Sequence, residues 1–183
     1  MRFTSKSEKK YWYYTLVVLI GIIGSIFLGR PLIDALPQHF ASMGFAAVLW
    51  SVLGIIVLHG LVTKKHILEI ALWIGIFSVY FLIVLRMTSE EERSHMIEFS
   101  ILAICIYAAL KERHQHAVLK YHPAIIAFAI SVIIGALDEF IQLFVPGRVF
   151  DWIDIGFNSF AAFFAIAAST ALSWVRSKLI KAF

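Results

Sequence analysis

The chain has 183 residues, of which 61% are hydrophobic and only 15% are charged, and its formal net charge is +4. Soluble domains average about 25% charged residues, so this composition argues against a water-soluble protein. The single cysteine, Cys105, excludes an intrachain disulfide and lies in an apolar run, where a thiol usually behaves as an inert small side chain. The hydrophobic residues form long runs separated by short charged segments, which is typical of membrane spans.

Six apolar runs are long enough to predict transmembrane helices, because a hydrocarbon core about 30 Å thick needs some 20 helical residues. The first run is too long for the apolar part of a typical signal peptide and lacks a small-residue cleavage site, so we expect a retained helix. The fifth is expected to begin at Pro123, in the first helical turn, and to stop at the helix-breaking pair Pro146-Gly147. The predicted spans are roughly Tyr11–Leu28, Phe40–Val62, Ile67–Leu85, Ser94–Leu110, Pro123–Val145 and Trp152–Val175.

The basic residues predict the orientation of these spans. Twelve of the 16 lysines and arginines fall on the side that holds both termini, so the positive-inside rule predicts cytoplasmic termini. Nine of the 12 acidic residues fall on the opposite, outer side. The predicted fold is all-α, a polytopic transmembrane bundle of about six spans. Its basic side suits anionic lipid headgroups, and no nucleic-acid motif is present.

Polar residues concentrate at the outer ends of the last three predicted spans. His95 and Glu98 lie three residues apart and share one helical face at the start of the fourth span. Asp138 lies roughly 22 Å along the helix from Pro123, which keeps it at membrane depth. The candidate functional cluster has nine members: His95, Glu98, Asp138, Glu139, Gln142, Arg148, Asp151, Asp154 and Asn158.

Two stripes predict that the fifth and sixth spans approach closely, since small residues allow close contact between helices. Glu139 lies about 100° around the helix from Asp138, so the spacing leaves open which carboxylate faces the bundle. The stripes are Ser131, Gly135, Asp138 and Gln142 on the fifth span, and Asp154, Asn158, Ala161, Ala165 and Ala168 on the sixth.

The chemistry of the cluster has a functional and a structural interpretation. An ionised side chain at membrane depth costs some 2.5–3.5 kcal/mol, so the acids must share protons, contact water, or pair with Arg148 and His95. Such a site suits acid–base chemistry or the binding of a cation. Alternatively, the polar residues only hold the helices together. No ligand spacing of a familiar metal site occurs, so neither a metal nor a cofactor is predicted.

Three segments of the C-terminal half resemble the VanZ-like family of membrane proteins. Residues 95–102, HMIEFSIL, resemble its His-x-x-Glu-aromatic-x-x-Leu segment, and residues 138–148, DEFIQLFVPGR, its Asp-Glu-x-x-Gln…Pro-x-Arg stretch. Asp154 and Asn158 match its Asp-x-x-x-Asn segment. The resemblance covers about Ser94–Ser169. Asn158 departs from the pattern, because alanines follow it where the family often has a glycine pair.

The resemblance implies a multi-pass protein of the bacterial cytoplasmic (inner) membrane. It divides the chain into residues 1–93, three spans without a recognised motif, and residues 94–183, the VanZ-like part of the same bundle. The family's namesake is associated with low-level resistance to teicoplanin, a lipid-tailed glycopeptide that acts outside the membrane. The expected partners are membrane lipids and a lipid-linked or amphiphilic small molecule, and the oligomeric state stays open.

Three functions fit the sequence. The first is the binding of an envelope lipid or lipoglycopeptide at the outer polar cluster, contributing to antibiotic or envelope-stress resistance. The second is an enzyme acting on a lipid-linked substrate at the outer face, with His95 as acid or base beside the carboxylates. The third is a small lipid or ion transporter, which the lack of evident inverted repeats disfavours.

Overall fold

The computed structural model describes residues 3–34, 37, 43–44, 47, 50–51, 66–87, 90–116, 119–146 and 148–181. These residues form five long α-helices and no strand. Every one of the five contains a segment long and apolar enough to cross a membrane. The chain is therefore an α-helical membrane protein. The helices are α1 (Lys6–Asp34), α2 (Ile67–Arg86), α3 (Glu90–His116), α4 (Pro123–Gln142) and α5 (Trp152–Lys181).

The all-α prediction is confirmed, and five of the six predicted spans correspond to these helices. The predicted second span, 40–62, lies mostly outside the described residues, so six spans stay a prediction. The helix α1 runs six residues past its predicted end, through Pro31 to Asp34, because a proline so near the end removes only one backbone hydrogen bond. The helix α4 stops at Gln142, and a tight turn follows it, in which Phe144 N–H donates to the Ile141 carbonyl.

Polar side chains just before three helices fix where those helices begin. His66 accepts a hydrogen bond from Leu68 N–H at the start of α2, and His122 accepts one from Ala124 N–H at the start of α4. Asp151 does the same for α5, with its Oδ1 2.7 Å from the Ile153 nitrogen. Each bond satisfies a backbone donor that has no partner within its own helix. These side chains therefore have structural roles.

The chain divides into two compact units, which are described separately. The first comprises Met1–Gly29 and Ser89–Ala167, and the second comprises Arg30–Thr88 and Ala168–Phe183. The second unit contains α2, whose Glu69 accepts a hydrogen bond from Arg176. Its aromatic contacts include Phe77 stacked on Phe81, with ring centroids 5.9 Å apart.

Neighbouring helices of the first unit run antiparallel. Helices α1 and α3 meet where Ser5 binds Glu112 and, near the other end, where Ser25 contacts Glu98. Helices α3 and α4 pack together. Helices α4 and α5 meet at Gly135 and Asn158 and at the rings of Phe128 and Phe163. The alternating direction predicted for these spans is thus present within this unit.

Helix α3 supplies most of the buried core of the first unit. Six of its apolar side chains are completely shielded from solvent: Met96, Phe99, Leu102, Ala103, Ile106 and Ala109. Large apolar side chains of the surrounding helices point outward instead, and Ile20, Leu137 and Phe163 are 62%, 53% and 58% exposed. Contiguous apolar surface of this kind marks contact with a membrane.

Candidate functional site

Two adjacent carboxylates of α4 lie inside the first unit. Asp138 is 3% exposed and Glu139 is fully buried, whereas Leu137 and Phe140 on either side are exposed. The structure therefore answers the question that helical spacing left open, because both carboxylates face the bundle. The predicted stripe of α4 is confirmed as well, since Ser131, Gly135, Asp138 and Gln142 are all buried.

Hydrogen bonds hold both carboxylates in place. The Gln142 amide donates to Glu139 Oε1 at 2.9 Å and to Asp138 Oδ2 at 3.3 Å. The backbone N–H of Asp151 donates to Glu139 Oε2 at 3.3 Å. Both oxygens of Glu139 are thus oriented, one from its own helix and one from the segment that leads into α5.

Helix α3 adds an imidazole and a third carboxylate. The Nδ1 atom of His95 lies 3.6 Å from Asp138 Oδ2, and its ring stacks on Phe99 with centroids 6.1 Å apart. One turn further along α3, Glu98 accepts a hydrogen bond from the hydroxyl of Ser25, at 3.4 Å. The first unit therefore brings α1, α3, α4 and α5 to one polar cluster.

Charges link the remaining acidic members of the cluster. Arg148 interacts electrostatically with Glu98 and with Asp138. Asp154 interacts with Asp138 and with Glu139. If all four carboxylates were ionised, the guanidinium of Arg148 would balance one of them. The cluster then requires protons or another cation, since uncompensated charge away from water is costly.

Asn158 lies beside α4 with its amide unsatisfied. Its side chain is 1% exposed, and neither Nδ2 nor Oδ1 finds a hydrogen-bond partner among the described residues. A methyl group placed on Gly135 would lie 3.1 Å from Asn158 Cβ and 3.3 Å from Phe99 Cε1. Gly135 on α4 therefore allows α4 and α5 to approach closely, although alanines rather than a glycine pair follow Asn158 on α5. Leaving a buried polar group unsatisfied costs about 1–3 kcal/mol.

The structure thus places all nine predicted residues in or against the cluster. Asp151 is the most exposed of them: its backbone N–H donates to Glu139, and its carboxylate caps α5 and also interacts electrostatically with Glu139. Ser25 was missed, because a serine in an apolar span usually bonds its own helix. Its single hydroxyl proton is shared between the Ile22 carbonyl at 2.8 Å and Glu98 at 3.4 Å. The sequence carries no signal for its second bond to Glu98.

Three side chains of the cluster have the geometry of a metal site. His95, Asp138 and Glu139 each offer one ligand atom, and these atoms lie within 4.8 Å of one another. All three residues are buried. Spacing along the sequence does not indicate this group, because the imidazole comes from α3 and the carboxylates come from α4.

Comparisons of the chain with family models, with curated proteins and with solved structures find no match. The resemblance of residues 95–102 and 138–148 to VanZ-like proteins therefore stays a prediction. The geometry of the cluster is the ground on which its function is argued.

Proposed function

We propose that the chain is a VanZ-like multi-pass protein of the bacterial cytoplasmic membrane that binds the polar head of an amphiphile, an envelope lipid or a lipid-tailed glycopeptide. One observation carries the proposal: four carboxylates, an imidazole, an arginine and two amides form a cluster at one end of an otherwise apolar group of helices. Five of these residues are buried, namely His95, Asp138, Glu139, Gln142 and Asn158, and the other three are half-buried. Helix association needs far fewer ionisable groups than this.

The distribution of charge supports an outer location for the cluster. Within the first unit, α3 carries His95 near one end and Arg113 near the other, about 27 Å apart by helical rise. The Arg113 end belongs with the lysine-rich loops that the positive-inside rule assigns to the cytoplasm. An amphiphile in the outer leaflet would then meet the His95 end with its headgroup, while its acyl chain contacts the apolar faces.

The cluster offers groups of both kinds to a headgroup. Arg148 supplies a planar donor for a phosphate or carboxylate. Glu98, Glu139 and Asp154 accept hydrogen bonds from hydroxyl or ammonium groups, which sugars and amines of envelope lipids provide. Gln142 and Asn158 add amides, which fix orientation through directional hydrogen bonds.

A second function, hydrolysis or transfer on a lipid-linked substrate, is favoured by one specific contact. His95 Nδ1 lies 3.6 Å from Asp138 Oδ2, and a carboxylate beside an imidazole orients it as a general acid or base. Loss of turnover with intact substrate binding in His95→Gln would identify this function.

The proposal is tested by complementation of a deletion strain. We expect Glu139→Gln and Arg148→Ala to abolish tolerance to teicoplanin, since each removes a charge at the binding site while the chain still reaches the membrane. The measurements are the inhibitory concentration and the amount of protein in the membrane fraction.

Glu112→Gln is the matched control, because it makes the same substitution as Glu139→Gln at a glutamate that binds Ser5 at the other end of the first unit. It should leave tolerance unchanged. Full tolerance in both Glu139→Gln and Arg148→Ala, at wild-type protein levels, would contradict the proposed site.

A further inference from the structure

We propose that His95, Asp138 and Glu139 form a binding site for a divalent transition-metal ion of the Zn²⁺ type. The inference rests on the proposed function in that the same cluster serves as the binding site. It adds the ion that would hold an anionic headgroup there.

The separations of the ligand atoms fit one shared ion. Two ligands bound to Zn²⁺ at about 2.0–2.1 Å in a tetrahedron lie about 3.3 Å apart. His95 Nδ1 and Asp138 Oδ2 are 3.6 Å apart, and all three ligand atoms lie within 4.8 Å of one another. Small side-chain rotations therefore suffice to bring the three atoms onto an ion, without movement of α3 or α4.

The donor set selects the class of ion. An imidazole nitrogen suits Zn²⁺ and other late transition metals, whereas Mg²⁺ and Ca²⁺ prefer oxygen ligands alone. Three protein ligands from one histidine and two carboxylates leave a fourth position open, as in zinc sites that bind a substrate or water. An anionic oxygen of a headgroup fits that position.

Hydrogen bonds outside the ligand set already orient the carboxylates. Gln142 donates to one oxygen of Glu139 and to one of Asp138, and the Asp151 N–H donates to the other oxygen of Glu139. Partners of this kind fix the direction of ligands and strengthen metal sites. Each carboxylate oxygen keeps a second lone pair for an ion.

Asn158 is an independent observation that a ligand belongs here. Its amide is buried, without a partner among the described residues, and directed at α4, with Nδ2 3.6 Å from the position of a methyl group on Gly135. Gly135 precedes Asp138 and Glu139 by one helical turn on the same buried face. The amide thus lies against the face of α4 that carries both carboxylates, and it lacks the hydrogen-bond partner that a bound group would supply.

Charge balance points the same way. With His95 neutral, the four carboxylates ionised and Arg148 balancing one of them, three negative charges are left, and one divalent ion neutralises two of these. An ion at this place also stabilises the fold against the cost of burying the two carboxylates.

The experiment measures Zn²⁺ binding to the full-length chain without an affinity tag, purified in detergent. We expect about one Zn²⁺ per chain by elemental analysis after dialysis, and an X-ray absorption spectrum with one imidazole and carboxylate oxygens. His95→Gln and Glu139→Gln should lose stoichiometric binding. Gln142→Ala should weaken affinity about 10–100-fold, since it removes a bond to the ligands and no ligand itself.

His116→Gln is the matched control, because His116 is likewise a histidine of α3 that lies beside a carboxylate, 3.5 Å from Glu112. It should bind Zn²⁺ as the wild type does. If both cluster variants fail to fold, the X-ray absorption spectrum of the wild type decides. A coordination shell of Zn²⁺ without imidazole overturns the inference. Binding that His95→Gln and Glu139→Gln retain overturns it too, as does a wild-type chain that takes up no Zn²⁺.

The two proposals fail in different ways. A wild-type chain that binds no Zn²⁺ but binds teicoplanin in nanodiscs would overturn the metal site and leave the proposed function standing. Stoichiometric Zn²⁺ with no binding of teicoplanin or of extracted envelope lipids would overturn the proposed function and leave the metal site.

Discussion

Two buried carboxylate sites at opposite ends of α3 differ in how well their charges are satisfied. At one end, Glu8 is fully buried and accepts four hydrogen bonds, two from Thr4, one from Trp12 and one from Arg113 at 2.7 Å. At the other end, Asp138 and Glu139 accept three bonds between them, and no guanidinium or ammonium group donates any of these three.

This difference is the one we expect between a structural ion pair and the proposed binding site. A buried carboxylate whose oxygens are saturated by its own chain has no capacity left for a ligand, and it stabilises the packing of α1 on α3. The cluster near His95 keeps acceptor capacity and an unsatisfied amide at Asn158. Natural proteins retain such unsatisfied polar groups mainly where they have a function.

The largest effect is expected when the fully hydrogen-bonded site of Glu8 is broken. Arg113→Ala leaves Glu8 buried without its counter-ion, which should lower the free energy of unfolding by about 3 kcal/mol. Unfolding in mixed micelles measures this. Lys120→Ala removes the same charge from an exposed position and should change stability by less than about 0.5 kcal/mol. Equal effects of the two variants would show that the Glu8 pair is not a structural anchor.

A smaller effect is expected at the helix contact that borders the cluster. Gly135→Ala places a methyl group 3.1 Å from Asn158 Cβ and 3.3 Å from Phe99 Cε1, so α5 must shift away from α4. Overpacking of this kind costs about 1–3 kcal/mol, and ligand binding should weaken with it. Thermal unfolding and binding are both measured.

Gly24→Ala is the control for this change, because a methyl group at Gly24 meets no atom within 4 Å. Alanine is the better helix former by about 1 kcal/mol, so this variant should be as stable as the wild type or slightly more so. A Gly135→Ala protein with unchanged stability would mean that α4 and α5 tolerate a wider separation.

Much of the fold and of the candidate cluster could be predicted from the sequence, because the patterns that predict them are local in the chain. The apolar runs predict five of the helices, because each run is long enough to cross a membrane as a helix. Polar residues at the ends of three spans gave the nine candidates, because residues at matched depth in neighbouring helices must lie near one another.

Contacts between helices could not be predicted in the same way. The rotation of α4 decides that both Asp138 and Glu139 are buried, and it depends on packing against α3 and α5. The bond from Arg113 to Glu8 joins residues 105 positions apart, and a count of charges on the cytoplasmic side does not single out this pair. The group of His95, Asp138 and Glu139 could not be predicted for the same reason, because its residues come from two helices.

The smallest expected effect is an increase in stability, and it tests the contrast between the two carboxylate sites most directly. Asn158→Leu replaces a buried, unsatisfied amide by an apolar group of similar size, which should raise the free energy of unfolding by about 1 kcal/mol while ligand binding falls. Ser131→Ala is the matched control, since the buried hydroxyl of Ser131 already donates to the Ala127 carbonyl at 2.9 Å, and its loss should lower stability by about 0.5–1 kcal/mol. If Asn158→Leu is also less stable, its amide supports the fold as Glu8 does. A more stable protein with weaker binding would mean that the amide is kept for its ligand.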